Sequence, residues 1–159
     1  QVEMAKHVFK EHKGLEPLVV FLLKNKEDKF GMGVCPIPPE IINSNEGKNL
    51  LRDKIFKELK ADIRSKGHEI ICVAFHSEAW AYQGEKGQGI PKDYKKLPRT
   101  EILMSTFDYG EGTRMVTHEI KRTMLVSEEG LEETVDIEFN KMGDECETVE
   151  GRFANLLKD

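Results

Sequence analysis

The chain has 159 residues, of which 38% are hydrophobic and 33% charged. That mixture is too apolar for a disordered chain and too polar for a membrane protein. The longest uncharged apolar run, Pro17–Leu23, is far short of the roughly 18–20 residues that span a bilayer, so no membrane partner is expected. The length suits one α+β domain over residues 1–159. Residues 1–30 show no basic-then-apolar leader pattern. The three cysteines, Cys35, Cys72 and Cys146, are widely spaced and form no CxxC pair. This excludes a four-cysteine zinc knuckle and a disulfide scaffold, and a reducing cytoplasm is the expected compartment.

The net charge of −5 is unevenly spread, with +4 over residues 1–100 and −9 over residues 101–159. Ten acidic residues fall within Glu128–Glu150, against one base, Lys141. The ordinary reading is a solvated acidic face. Unlike halves can also steer two copies into a head-to-tail contact. Such self-association needs an apolar anchor as well, for which Val2–Phe9 and Phe153–Leu157 are the candidates.

The elements follow in chain order. Val2, Ala5, Val8, Phe9 and His12 recur at helical spacing, so a short helix is predicted over Val2–His12, ended by Gly14 and Pro17. Leu18–Leu23 is an apolar run of strand length. After the polar turn Asn25–Asp28, Phe30, Met32 and Val34 alternate with Lys29, Gly31 and Gly33. Together these predict a β-hairpin. Ser44 or Asn45 can cap the next helix, and Leu51, Ile55, Leu59 and Ile63 follow at intervals of four. One helix over about 47–65 is predicted, with Gly67 as its C-terminal cap.

Ile70–Phe75 is apolar on both faces and reads as a central strand. The segment Gln83–Pro98 has no periodicity and exceeds the usual loop length. Strands are then predicted over Glu101–Phe107 and Thr113–Ile120, with a short one at Met124–Val126. A last strand, with one wet face, carries Val135, Ile137 and Phe139. Thr148 can cap a terminal helix striped by Val149, Phe153, Leu156 and Leu157. The expected fold is therefore α+β: a mixed or mainly antiparallel sheet of five or six strands, the helix 47–65 on one face, and short terminal helices. Leu51, Ile55, Leu59, Ile63, Ile71, Val73 and Phe75 are the expected core.

Candidate sites cluster where the central strand leaves the core. One face reads Ile70, Cys72, Ala74, His76, Glu78 and Trp80, changing from apolar to titratable beside the long loop. His76 and Glu78 stand about 7 Å apart on one strand face. With His118 from a later strand they offer two imidazoles and a carboxylate, a set suited to a divalent metal or to acid–base work. The simpler reading is polar residues at the edge of the core, with Trp80 covering it. The loop holds Lys86, Lys92, Lys95 and Lys96 between Tyr82 and Tyr94. Basic and aromatic side chains together can stack bases, though a solvated loop explains them as well. No Gly-x-Ser-x-Gly, His-Glu-x-x-His or P-loop pattern occurs.

Ser77-Glu78-Ala79-Trp80, followed by Pro98-Arg99-x-Glu101-x-Leu103, resembles a pattern found in a group of small uncharacterised α+β proteins of bacteria and their phages. The likeness spans roughly residues 68–120. It implies a fold more than an activity, and it singles out Glu78, Trp80, Arg99 and Glu101. An Arg99–Glu78 pair across adjacent strands is expected from the same placement. The functional expectation is a non-enzymatic module without a cofactor that binds a protein partner or itself. The alternatives are a metal-dependent hydrolase or nuclease using His76, Glu78 and His118, and nucleic-acid binding through residues 83–98.

Overall fold

The structure is a computed structural model that describes residues 1–82, 93, 96–126 and 133–143. Lys86, Lys92, Tyr94, Lys95 and the expected terminal helix lie outside these residues, as does the side chain of Tyr82. Six antiparallel strands form one sheet in the order β2-β1-β3-β4-β5-β6. They are β1 (Leu18–Lys24), β2 (Phe30–Pro36), β3 (Glu69–Tyr82), β4 (Arg99–Asp108), β5 (Thr113–Val126) and β6 (Glu133–Lys141). Thr113–Ile120 and the short strand expected at Met124–Val126 form one continuous β5. No helix among the described residues is long and apolar enough to cross a membrane.

Period-two alternation divides the apolar residues between the two faces of the sheet. On the first face, Leu18, Val20, Ala74, Leu103, Ile120 and Ile137 form one cluster with Ala5 and Phe9 of helix α1 (Val2–His12). Phe9 meets Phe139 edge to face, with ring centroids 5.4 Å apart. Helix α1 therefore packs Ala5 and Phe9 fully on its own sheet, with Met4 and Val8 partly buried against the same cluster. On the other face, Val19, Phe21, Val73 and Phe75 cluster with Ile37, Leu51 and Phe56. Ile71 is only partly buried, a correction to its expected place in the core.

Residues 45–65 do not form one regular helix. They comprise α3 (Asn45–Leu50), a π-helical turn (Leu51–Ile55) and α4 (Phe56–Ser65), preceded by the short α2 (Pro39–Ile42). Ser44 caps α3 by accepting the Gly47 N–H at 2.9 Å. The interval of four carries Leu51, Ile55, Leu59 and Ile63 along one face of an ideal α-helix. The π-turn adds a residue and shifts the phase. The fully buried positions are consequently Leu51 and Phe56, five apart, followed by Lys60. Ile55, Leu59 and Ile63 become flanking, partly buried contacts.

This phase shift is testable. Phe56→Ala should cost about 3–5 kcal/mol, as for a buried aromatic, and Ile55→Ala less than half of that. Denaturant unfolding of the two variants decides it, and a regular helix would reverse the ranking.

Candidate functional site

The register of the central strands dictates which candidate residues can meet. His76 lies opposite Ser105, Glu78 opposite Leu103, Trp80 opposite Glu101, and Tyr82 opposite Arg99. On the other side of β4, Leu103 lies opposite His118. Directly opposed residues share a face. Glu78, Leu103 and His118 thus form one row, with the fully buried Leu103 standing between the carboxyl group and the imidazole. His76 lies one row away. The three proposed metal ligands are not brought together, and among the described residues no group of three His, Cys, Asp or Glu side chains could hold a metal ion.

Each histidine has its own surroundings. The His76 ring is fully buried, with Nδ1 2.8 Å from Ser105 Oγ and Phe107 edge-on at 5.7 Å. Among the described residues its Nε2 has no hydrogen-bond partner, and neither has His118 Nδ1. Burial pushes the His76 imidazole down to about 4. Burial, then the nearby Lys6 ammonium, also holds His118 below the usual imidazole range. Both rings are thus neutral near pH 7, packed on the face that α1 covers. Cys72, further along β3, is equally inert, since burial raises its thiol to about 11.

The charged cluster forms elsewhere, around a residue that the sequence patterns did not single out. Arg122 continues the alternation of His118 and Ile120 along β5 and reaches across the first face. Its Nη2 donates to Glu101 Oε1 at 2.5 Å and its Nε to Glu101 Oε2 at 3.0 Å. Nη1 donates to the Lys13 carbonyl at 2.9 Å, just beyond the end of α1. The guanidinium also lies 5.0 Å from the centre of the Phe9 ring. Glu78 Oε1 is 3.7 Å from Nη2. Arg122, not Arg99, is therefore the cation beside Glu78. The expected Arg99–Glu78 pair does not form, because Arg99 lies over the half-exposed Trp80 ring at 4.3 Å. Lys96 is exposed.

One guanidinium thus serves two carboxyl groups. Hydrogen bonding by Arg122 holds Glu101 below the usual carboxylate range. Glu78 goes the other way. Burial, and then its hydrogen bond to Glu101, favour its protonated form against the Leu15 N–H that donates to it. Glu78 also borders a cleft of about 730 Å3, walled mainly by apolar residues from the end of α1, the Gly14–Leu18 segment and β2.

No family model matches the chain, and no curated protein or solved structure is significantly similar to it. The site rests on its own geometry.

Two outcomes follow. A histidine whose folded value lies below its unfolded one binds fewer protons when folded, so stability is lost as pH falls. For His76 the window runs from about 6.5 down to about 4. The loss amounts to about 3 kcal/mol at the lower end. Unfolding titrations of wild type and His76→Gln from pH 7 to 4 should show a shallower pH slope in the variant. Arg122→Gln leaves the two carboxyl groups facing each other without a cation. It should cost about 1–3 kcal/mol at pH 7. Thermal denaturation should show a smaller loss at pH 5, where the pair can share a proton.

Proposed function

We propose that this protein is a non-enzymatic binding module that docks an extended segment of a protein partner along β2. The carrying observation is the outer row of that strand. Phe30, Met32 and Val34 project to the same face and are 66%, 59% and 55% exposed. β2 is an edge strand, so one side of its backbone has no sheet neighbour among the described residues.

Exposed edges are usually blunted by charges within the strand or by bulges, because bare ones recruit other chains. The strand Phe30–Pro36 carries no charged residue and pairs with β1 in unbroken register, with Pro36 only at its end. Gly31 and Gly33 occupy the opposite face, where the space around Gly31 is open. An incoming strand could therefore take backbone hydrogen bonds from the edge and side-chain contact from the apolar row. The row presents apolar surface on the order of 300 Å2. This is well short of the roughly 800 Å2 per partner of a stable globular interface, and it suits a short extended segment better. Among the described residues the strand register sets His76, Glu78 and His118 in separate surroundings, which favours the binding reading over the hydrolase one.

Selection from a random peptide library on the wild-type protein tests the reading. Selected peptides should bind with micromolar affinity and lose at least tenfold on Met32→Lys, with circular dichroism unchanged. Peptides that bind the variant equally well would overturn it.

A further inference from the structure

We propose that the cleft between the end of α1 and β2 receives a lysine side chain of the docked segment, its ammonium group meeting the Glu78 carboxylate. The identity of the partner rests on the β2 reading above; the chemistry of the cleft does not.

The cleft and the docking strand share residues. Val34 and Pro36 of β2 form one wall, while Val8, Leu15 and Leu18 contribute apolar surface on the α1 side. A segment running along Phe30, Met32 and Val34 toward Pro36 therefore arrives at the cleft mouth. The volume of about 730 Å3 lies within the range of small-ligand sites. His12 and Glu16 line it from exposed positions, and Glu78 is the carboxyl group set between the sheet and the Gly14–Leu15 backbone.

Charge complementarity selects the occupant. Glu101 takes the bidentate contact with Arg122, while Glu78 hydrogen-bonds to Glu101 and lies 3.7 Å from the same guanidinium. Among the described residues the cluster therefore holds two carboxyl groups and one guanidinium. The Leu15 N–H orients Glu78, and an arriving ammonium group favours the ionised carboxylate over the protonated form, whose proton passes to water. A lysine fits this arrangement in both its parts. Its four-carbon stem lies against the apolar walls, and its compact ammonium group supplies the missing positive charge at the carboxyl end.

The lysine side-chain fragment n-butylammonium, with n-butanol as its uncharged counterpart, provides the test on the full chain. Nuclear magnetic resonance should show saturable shifts of the Gly14 and Leu15 amides with n-butylammonium at ~1–50 mM, the range of a weak fragment. Butanol should bind at least fivefold more weakly, and Glu78→Gln should remove the preference for the amine. Equal binding of amine and alcohol to wild type, or no saturable shift with either, would overturn the cleft assignment whether or not the variant folds. An unchanged preference in folded Glu78→Gln would also overturn it. The library peptides separate the two proposals. Amine-selective binding in the cleft, together with peptides insensitive to Met32→Lys, would retain the cationic pocket and overturn its link to the β2 segment. Peptides that need Met32 but contain no lysine would retain the docking strand and overturn the lysine.

Discussion

A single guanidinium ties together the end of α1 and the strands of the candidate site. Arg122 stands on β5, yet its partners lie on β4, on β3 and at the end of α1. A planar donor with five N–H groups can serve several acceptors at once, which a lysine at the same position could not do in that geometry. The contact with the Lys13 carbonyl places positive charge at the negative end of the helix dipole. The Phe9 ring beneath it links this polar cluster to the apolar core on the same face. Helix α1 is thus held at its C-terminal end by charge and along its stripe by burial. The placement of Gly14–Leu18, and with it the shape of the cleft, follows from both.

The two faces of the sheet solve different problems. The side covered by α2, α3 and α4 is an apolar layer interlocked by Leu51, Phe56, Val73 and Phe75. The side covered by α1 mixes apolar packing with buried imidazoles. A buried polar atom without a partner costs about 1–3 kcal/mol, and this face contains two such nitrogens, on His76 and His118. Keeping both rings neutral lowers that cost relative to burying two imidazolium ions. Neutrality is thus a condition of the packing under α1, and the low imidazole values express it.

Much of the strand pattern could be read directly from the residues. Alternation at Phe30–Val34 and at Val135–Phe139, and the doubly apolar run at Ile70–Phe75, report local geometry that neighbours in sequence determine. The π-turn was not readable, because Leu51, Ile55, Leu59 and Ile63 keep a perfect interval of four while the backbone inserts its extra residue among them. The charged cluster was hidden for another reason. Glu78, Glu101 and Arg122 are separated by 23 and 21 residues, and only the register of a three-strand meander places them together. Half of it was visible, since Glu78 and Glu101 drew notice at the two ends of the long loop. Arg122 required one further step of the His118–Ile120 alternation. Arg99 does stand across the strand pair on the face of Glu78, but its guanidinium lies over the Trp80 ring instead.

The pairing of Tyr82 with Arg99 has a consequence for the chain between them. A connection that leaves and re-enters the sheet at opposed positions spans a single strand spacing, about 5 Å. The ladder of β3 and β4 therefore brings the two ends of the connection together by itself, and the entropy of that closure is charged to the strand pairing rather than to the residues between.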